Sequence, residues 1–599
     1  MLIIVLTPNM SSSIITALDN HTPTQIGENG STEYTWSNSV REQIVQFSFQ
    51  LVRTKGEPQV IALESVLKTI LETLKARQDK THDSESLGLL SILYRMIGST
   101  RDIIDGKGEY LLTYMMIYTW YEFYPELSRF ALLSLFYTDE KITHQYGSWK
   151  DIKKFCGYCL TKDSNNSSHP LVVTAIELAN DKLYSDNILL NSDGSDKTNV
   201  SLVARWIPRE KSKYGWLFKL LATHYYSDYL FTAKTPVQIE KAQKKCYMEY
   251  RKLISELNVK LDTLQIKQCS NNWSNIDFKK VTSISFTKQK QAFLNLKKGT
   301  KSAEARYPDR QDRVECSENF TKFVEKSIKE GKEIKGARVG MESFTKQAKD
   351  LLNQTQDSTV KLQIDLLNSQ WRDNSKQTGK LGKMLAMVDV SGSMEGDPMN
   401  VAIALGIRIA DKSILGKRVM TFSSNPTWVN LENYDDFVSQ VKVISSAEWG
   451  MNTNIYKAMK MILGAIEENK LSPEEVQDMV LAILSDMQID QAYEHGVNKD
   501  TLYKNIETMY IEAGMRVHGK PYKPPHIIFW NLRSTSGFPT LSTQPNVSML
   551  SGFSASFLNL FCEQGMEALE SITPWAQLER TLENERYNIL KEFIAGYFW

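Results

Sequence analysis

The sequence predicts an all-helical N-terminal region, a solenoid or an irregular bundle, followed by a doubly wound α/β domain with a mostly parallel sheet. Three observations predict this fold class. Apolar residues recur at three- and four-residue spacing through the first part of the chain, which is the period of an amphipathic helix. After about residue 376, short apolar runs alternate with helix-period segments, as in βαβ units. The 599 residues also exceed what one hydrophobic core accommodates.

Three segments follow from the same patterns. Residues 1–40 are rich in Ser, Thr, Asn and Gly and lack periodicity, so we expect a polar, flexible arm. Residues 41–375 contain helical stretches such as "ESVLKTILETLKAR" and "ELSRFALLSLFY" without a fixed repeat length, which argues against a regular tetratricopeptide or ankyrin array. The polar stretch "QWRDNSKQTGK" marks the boundary. Residues 376–599 then form the predicted α/β domain.

The strands of this domain are expected at "KMLAMVDV", "RVMTFSS", "MVLAILSD" and "HIIFWNL". Such short, continuous apolar runs are typical of strands that are buried on both faces of a parallel sheet. Helix-period segments such as "NIYKAMKMILGAIEENK" lie between them. In doubly wound sheets ligands bind outside the carboxyl ends of the strands, so polar residues directly after the strands are the candidate functional residues.

The composition limits the classes of protein to which this chain can belong. Hydrophobic residues make up 42% of the chain, charged residues 24%, and the formal net charge is +1, which is ordinary for a soluble globular protein. The six cysteines are too few for a disulfide framework, so we expect a cytoplasmic, reducing environment. No apolar run reaches the length of a membrane span. Cys156 and Cys159 form one C-x-x-C pair, which is either half of a zinc site or, by default, two thiols on a helix face.

Positive charge is concentrated in one part of the predicted helical domain. Residues 279–350 contain 18 Lys and Arg against 10 Asp and Glu. This segment is either a solvated helix face or a contact for single-stranded RNA. Tryptophans 206, 216 and 273 suit base stacking, although each also fits a packing role. The candidate RNA-binding lysines all precede the first acid of this segment, and no acid lies among them: Lys279, Lys280, Lys288, Lys290, Lys297, Lys298 and Lys301.

A cluster of oxygen-bearing residues follows the predicted strands. Asp389, Ser391 and Ser393 come at the end of the first strand, Thr453 precedes a helix, and Asp486 ends another strand. Carboxylate and hydroxyl oxygens suit Mg²⁺ best, with Mn²⁺ or Ca²⁺ as alternatives. Each residue alone also fits a turn or a helix N-cap. Their shared position at strand ends favours a divalent-cation site.

The same region offers little for catalysis. Neither serine lies in a Gly-x-Ser-x-Gly elbow, and an aspartyl nucleophile would have a second Asp where Ser391 stands. Asp490, His495 and His526 are the nearest spare acid–base groups. A histidine directly before a strand is more often structural than catalytic, so we expect no catalytic residues and a protein that is not an enzyme. A metal-dependent hydrolase or nuclease is the alternative.

The five residues Asp389, Ser391, Ser393, Thr453 and Asp486 resemble the metal-ion-dependent adhesion site (MIDAS) of von Willebrand factor A domains. The resemblance implies that the hydroxyls and aspartates hold the metal, directly or through water, and that a carboxylate of a partner protein completes its coordination. The blocks "YGSWKDI", "QWRDNSKQTGK", "DVSGSM", "EWGMNTN", "LSDMQIDQA" and "IIFWNLR" resemble, in this order, those of an uncharacterised family of plants, fungi and giant DNA viruses. This likeness covers roughly residues 90–565.

A helical region followed by an A-type domain also resembles the Ro autoantigen, whose HEAT-like (TROVE) helical repeats bind single-stranded RNA. The resemblances together predict a non-enzymatic binding or scaffold protein with a metal-dependent A-type domain, and RNA binding by the helical region is the first alternative. A composition rich in Lys, Asn and Ile fits an AT-rich genome and predicts a giant-virus member. Such a protein would act in the host cytoplasm or be packaged in the virion.

Overall fold

The computed structural model describes residues 21–54, 56–81, 83–192, 200–297, 304–447, 450, 452–490, 500–562 and 569–598. The chain divides into two compact units. The first, called the α/β unit below, comprises Met1–Leu93 and Thr378–Asn584. The second, the helical unit, comprises Tyr94–Gln377 and Glu585–Trp599. Each unit is therefore built from two separate stretches of the chain.

The strands are β1 Thr24–Ile26, β2 Thr32–Tyr34, β3 Met384–Asp389, β4 Arg418–Phe422, β5 Thr427–Asn430, β6 Val480–Ser485, β7 His526–Asn531 and β8 Val547–Ser551. The α-helices are Val40–Gln50, Glu57–Thr81, Ser84–Arg101, Tyr110–Phe123, Pro125–Ser134, Lys150–Lys162, Pro170–Asn191, Val203–Trp206, Gly215–Tyr225, Asp228–Phe231, Pro236–Lys260, Leu264–Cys269, Ser283–Phe293, Gln311–Lys329, Met341–Leu352, Ser358–Ser375, Asp397–Lys412, Phe437–Ser445, Ile455–Glu468, Pro473–Gln477, Leu502–His518, Pro574–Leu582 and Asn588–Phe598. Short 3-10 helices lie at Asn166–Ser168, Trp273–Asn275, Phe278–Lys280, Gly392–Met394, Ala555–Phe561 and Glu585–Tyr587.

Strands β3 to β8 form one sheet in the order β5-β4-β3-β6-β7-β8. All neighbours are parallel except β4 and β5, which are antiparallel. The predicted combination of a helical region with a mostly parallel α/β sheet is therefore confirmed. Because the order extends in opposite directions from β3, the β3–β6 pair is the topological switch point, where open α/β sheets bind ligands.

The apolar runs of the sequence become strands that are buried on both faces. Every residue of β3, β6 and β7 is buried, which needs helices on both sides of the sheet. Helix Asp397–Lys412 packs on β3 at Gly406, where a Cβ atom would come within 2.6 Å of Val388 Cγ2. The glycine therefore allows this helix a close approach to the first strand.

The N-terminal part of the chain belongs to the α/β unit, which corrects two predicted boundaries. Part of the expected flexible arm is the β1–β2 hairpin, and the Tyr34 amide donates to the Phe538 carbonyl at 2.9 Å. Helix Val40–Gln50, expected in the helical domain, packs against β8. Its carbonyls accept hydrogen bonds from Asn531 Nδ2 at 2.9 Å and from Ser551 Oγ at 2.8 Å. Both contacts join residues about 500 positions apart, which local sequence patterns do not reveal.

The helical unit has its own core and includes a segment that was predicted to lie in the α/β domain. One buried cluster of this core brings together Phe278, Phe286, Phe293 and Phe320. Helix Asn588–Phe598 packs against helix Pro125–Ser134 through stacked Phe130 and Phe593 rings, whose centroids are 3.6 Å apart. Within the described ranges, no helix combines the length and apolarity needed to cross a membrane.

Candidate metal centre and cationic patch

Asp389 is held in place at the carboxyl end of β3. One carboxylate oxygen, Oδ1, accepts a hydrogen bond from the Ser391 amide at 2.9 Å. The other, Oδ2, accepts from the Ser485 hydroxyl at 2.6 Å. Ser485 ends the neighbouring strand β6, so the switch point of the sheet itself brings these two residues together. The Asp389 side chain is fully buried.

The two serines stand side by side in the turn that follows. Ser391 Oγ lies 3.1 Å from Ser393 Oγ, across the start of the 3-10 helix Gly392–Met394. Ser393 also interacts with Asp486, and its hydroxyl lowers the pKa of that carboxyl. Ser391 is buried, Ser393 is half-buried and Gly392 is exposed. The cluster therefore lies at the surface edge of the sheet rather than deep in the core.

Thr453 is tied to the loop that follows Asp486. Its amide donates to Asp490 Oδ2 at 2.9 Å, and its carbonyl accepts from the Asp490 amide at 3.1 Å. In the same connection, Gly450 pairs with Ser391 as an isolated β-bridge. Asp490 therefore orients the threonine, which gives this spare acid of the sequence a positioning role.

Two polar atoms of the cluster are buried and lack a hydrogen-bond partner among the described residues: Thr453 Oγ1 and Asp486 Oδ2. Burying such atoms without a partner costs free energy. Both belong to predicted metal ligands. A bound cation would satisfy them, so the donor atoms fit a hard divalent ion.

The charges of the cluster also favour a bound cation. Burial, followed by the nearby Asp486 carboxylate, raises the pKa of Asp389 above its ordinary value. Burial also raises the pKa of Asp486, against the lowering effects of Ser393 and Arg533. Two buried carboxylates that face each other are unfavourable without a positive charge. In the described parts of the chain, no three His, Cys, Asp or Glu side chains gather as a metal site, so any cation here would rely on serine and threonine hydroxyls.

The structure thus joins Asp389, Ser391, Ser393 and Asp486 by direct interactions and fixes Thr453 in the adjoining loop. Three supporting roles were not predicted from the sequence, namely those of Ser485, Asp490 and Arg533. The Arg533 guanidinium donates to the Ser393 carbonyl and adds a positive charge beside the cluster. The signal for Ser485 was its place directly before Asp486 in "LSD", since adjacent strands align their ends.

The other candidate groups have structural environments. His526 begins β7, where its Nε2 lies 2.9 Å from Ser548 Oγ of the neighbouring strand, and burial lowers its pKa to about 4. His495 lies outside the described residues. Cys156 and Cys159 are buried on helix Lys150–Lys162, and burial raises the pKa of both thiols. The two cysteines are therefore thiols packed inside the helical unit.

The seven candidate RNA-binding lysines have different environments. Lys279, Lys280 and Lys288 are exposed, and the exposed Lys297 forms an ion pair with Glu304 at 2.9 Å. Lys290 is buried on helix Ser283–Phe293 and donates to Gln347 at 2.9 Å, so this candidate does not present its charge to solvent. The remaining two, Lys298 and Lys301, lie outside the described residues.

A second basic group surrounds two aromatic rings of the helical unit. Lys154 Nζ lies 3.3 Å from the centroid of the Tyr110 ring, and Lys153 Nζ lies 4.9 Å from that of Trp206. Tyr110 is 42% exposed. The cationic patch, as we name it below, consists of Tyr110, Lys150, Lys153, Lys154, Arg205, Trp206 and Lys288.

The cations of this patch repel one another. The pKa of Lys150 is lowered by partial burial and then by Lys154 and Lys288. The pKa values of Lys153 and Lys154 are lowered in the same way, first by burial and also by neighbouring cations. Such mutual repulsion favours the binding of an anion. The spacing in "KDIKKF" places these lysines on one turn of a helix and could have indicated the patch from sequence.

Comparisons with known proteins give one family match and one relative. A family described as a domain of unknown function (DUF7788) matches residues 383–592, which corresponds to most of the second stretch of the α/β unit. An uncharacterized protein of Acanthamoeba polyphaga mimivirus, L728, is 29% identical over 508 residues, covering 82% of this chain and 79% of the relative. The chain is therefore related to a giant-virus protein along most of its length.

Among the solved structures that match this chain is that of a Ro protein. The crystal structure of the Ro (RSR) protein of Deinococcus radiodurans matches with 12% sequence identity, covering 88% of this chain and 99% of that chain, at a TM-score of 0.30. A TM-score of this size does not indicate a shared fold.

Proposed function

We propose that this protein is a non-enzymatic binding protein whose α/β unit holds a divalent cation, Mg²⁺ in preference to Mn²⁺ or Ca²⁺, at Asp389, Ser391, Ser393, Thr453 and Asp486. The observation that carries the proposal is the pair of buried, unpartnered oxygens, Thr453 Oγ1 and Asp486 Oδ2, in one cluster at the switch point of the sheet. The five residues resemble the metal-ion-dependent adhesion site of von Willebrand A domains.

The residues around the cluster have separate tasks in this proposal. Ser485 and the Ser391 amide orient the Asp389 carboxylate, and Asp490 orients Thr453. A bound cation supplies a positive charge that attracts a carboxylate of a partner protein. Arg533, which is exposed beside Ser393, adds to the attraction for an acidic partner.

The non-enzymatic part of the proposal is supported by the groups near the cluster. Asp490 is engaged with the Thr453 amide, and His526 is buried against Ser548. Neither lies in hydrogen-bond contact with Ser391 or Ser393 as a base would. Magnesium-dependent cleavage of RNA that Asp486→Asn abolishes would instead favour the metal-dependent nuclease.

Metal binding can be tested by thermal unfolding with and without Mg²⁺. A ligand at one hundred times its Kd stabilises the native state by about 2.7 kcal/mol, so added Mg²⁺ should raise the melting temperature. Asp486→Asn should remove this rise. The variant keeps the oxygen that accepts from the Gln488 amide at 3.3 Å and removes one of two repelling charges, so the metal-free protein should stay folded.

Glu395→Gln is the matched control, because Glu395 is an exposed acid of the same turn outside the cluster. Its melting temperature should rise with Mg²⁺ as in the wild type. Equal rises in the wild type and in Asp486→Asn, or no rise with Mg²⁺, Mn²⁺ or Ca²⁺ in the wild type, would contradict the proposed metal site.

A second candidate function is binding of single-stranded RNA by the cationic patch of the helical unit. It is favoured by one observation: half-buried lysines and an arginine surround the Tyr110 and Trp206 rings and repel one another. Positive charge that follows the phosphates, together with aromatic rings that stack on bases, is the usual combination in such proteins.

This candidate function predicts a salt-dependent affinity for a short single-stranded RNA, measured by fluorescence anisotropy. Lys154→Ala combined with Lys288→Ala should weaken binding and reduce the slope of log K against log salt by about 0.7 for each lost phosphate contact. Lys346→Ala, which removes an exposed lysine outside the patch, is the control. Equal affinities and slopes for the double variant and the control would exclude the patch as the RNA contact.

A further inference from the structure

The helical unit contains a cavity that shares Arg205 with the cationic patch and no residue with the candidate metal centre. It has a volume of about 560 Å³ and lies among helix Val203–Trp206 with the turn after it, helix Pro236–Lys260 and helix Leu264–Cys269. Sites for small molecules commonly occupy about 300–1,000 Å³. The cavity is therefore large enough for a ligand of that class.

One side of the cavity is strongly basic. Arg205, Arg209, Lys211 and Arg251 line it together with a single acid, Glu210. Glu210 is already paired with Arg251. In the part of the chain that the structure describes, the other three cations have no ion-pair partner, and partial burial lowers the pKa of Arg205. The basic side therefore has charge available for an anionic ligand.

Two polar atoms in the lining are buried and have no hydrogen-bond partner among the described residues: Thr263 Oγ1 and Gln265 Oε1. Thr263 is only 6% exposed. It stands at the N-cap position of helix Leu264–Cys269, yet its hydroxyl makes no capping hydrogen bond, although threonine usually caps from this position. Its hydroxyl and the Gln265 carbonyl are thus available to a bound molecule.

The remaining walls are mostly apolar and include Ile207, Pro208, Phe218, Ile254 and Ile266. An inorganic phosphate would use the cations but leave these walls uncovered. A fatty acid would cover the walls but leave Thr263 and Gln265 without partners, at a cost in free energy. A ligand that satisfies all three features carries an anion and an apolar body with a hydrogen-bond donor, as the phosphate and the aromatic base of a nucleotide do.

We propose that this cavity binds a nucleoside phosphate, with the phosphate at Arg205, Arg209 and Lys211, the base between the apolar walls, and an amino group of the base donating to Gln265 Oε1. The ligand is either a free mononucleotide or the terminal nucleotide of a strand, since both present the same chemistry. The proposal is independent of the metal centre, whose residues lie in the α/β unit.

Cys269 allows the proposal to be tested in the whole protein. It lines the cavity and is exposed, whereas four of the other five cysteines are buried and Cys562 is half-buried. AMP should slow the alkylation of Cys269 in proportion to the fraction of protein bound, as followed by mass spectrometry of the Cys269 peptide. Affinity is measured in parallel by titration calorimetry. Adenosine and inorganic phosphate, each alone, should protect Cys269 much less than AMP.

An oligoadenylate with a 5′-phosphate distinguishes the two sources of the ligand. Stronger protection by the oligonucleotide than by AMP assigns the cavity to a strand end, and stronger protection by AMP assigns it to a free nucleotide. The proposal is overturned if AMP neither binds nor protects Cys269 at millimolar concentration, or if adenosine or phosphate protects as well as AMP.

Substitutions of lining residues test which side chains contribute to the affinity for AMP. Arg209→Ala with Lys211→Ala removes two exposed cations and should weaken AMP binding about tenfold, since hydrogen bonds to charged groups contribute strongly. Thr263→Val keeps the shape of the side chain and should weaken it about fivefold. Lys241→Ala, on helix Pro236–Lys260 but outside the lining, should leave the affinity unchanged. Unchanged affinity in the first two variants, with native circular dichroism, would contradict the assignment.

Discussion

Single residues in this protein show how burial changes chemistry. Asp389, Thr453, Asp486 and His526 are all completely buried polar residues of the α/β unit. Asp389 and His526 lie at opposite edges of the same sheet. Asp389 is at the carboxyl end of β3, and His526 is at the amino end of β7. Among the described residues, the two unpartnered oxygens Thr453 Oγ1 and Asp486 Oδ2 belong to the cluster at the carboxyl ends, in agreement with the general placement of ligand sites in such sheets.

His526 gives a prediction for the pH dependence of stability. Its pKa is about 4 in the folded protein, below the ordinary value of 6.5, so the unfolded chain binds more protons between these two pH values. Stability should therefore fall as the pH falls from about 6.5 to about 4, by on the order of 3 kcal/mol from this residue. His526→Gln should flatten this part of the profile. The measurement is urea unfolding of both proteins across the interval, and equal slopes would contradict the prediction.

That the candidate residues lie close together was predictable at this scale, because an aspartate after an apolar run and hydroxyls two residues apart are visible in the sequence; their binding of a metal stays a prediction. Ser485 could have been found from its place directly before Asp486, whereas the role of Arg533 was not predictable. A serine and an arginine near strand ends are common in any α/β protein, and their roles arise from contacts with Asp389 and Ser393, which are 96 and 140 residues away in the chain.

Among the elements, the segment from Glu585 to Phe598 is anchored by an ion pair. Arg586 Nε and Nη2 donate to the two oxygens of Asp102 at 2.6 and 2.8 Å. The Asp102 side chain is fully buried and that of Arg586 is 12% exposed. Helix Asn588–Phe598, which follows in the chain, packs against helix Pro125–Ser134. A two-pronged, buried pair of this kind fixes position as well as charge.

Arg586→Ala should strongly destabilise this packing. It leaves the buried Asp102 carboxylate without its cation, and breaking such a pair commonly costs about 3–5 kcal/mol. We expect amide protons of helix Pro125–Ser134 to exchange much faster with solvent, as measured by hydrogen–deuterium exchange.

Lys591→Ala removes an exposed charge from the same C-terminal helix and should leave exchange unchanged. The pair is not what holds the segment if the two variants behave alike. The stacked Phe130 and Phe593 rings would then be the main contact.

At the scale of the whole molecule, the class of each unit was predictable and the assignment of segments to units was not. The buried strands β3, β6 and β7 coincide with continuous apolar runs of the sequence, because a strand that is buried on both faces needs apolar residues at successive positions. Helix Val40–Gln50 has the same amphipathic period as the helices of the other unit. Its period therefore predicts a helix but not the surface that covers it. Its contacts with Asn531 and Ser551 place it in the α/β unit.

The last short segment illustrates the same limit. Helix Asn588–Phe598 follows the α/β residues directly in the chain, and sequence proximity favoured one domain for both. Its aromatic side chains instead match Tyr124 and Phe130 of the helical unit. Pairing of distant apolar surfaces depends on three-dimensional shape, which neither composition nor periodicity records.

The alternation of segments between the two units has a consequence for synthesis on the ribosome. Residues 94–377 emerge before the α/β stretch 378–584, and the segment that completes their unit, 585–599, emerges only afterwards. At ribosomal rates of 5–20 residues per second this interval lasts roughly 10 to 40 s. During that time the residues that Asp102 and Phe130 contact in the folded protein have not yet emerged. Residues 21–93 likewise remain without β7 and β8 until those strands emerge. Nascent chains should therefore depend on chaperones until residues 585–599 have emerged.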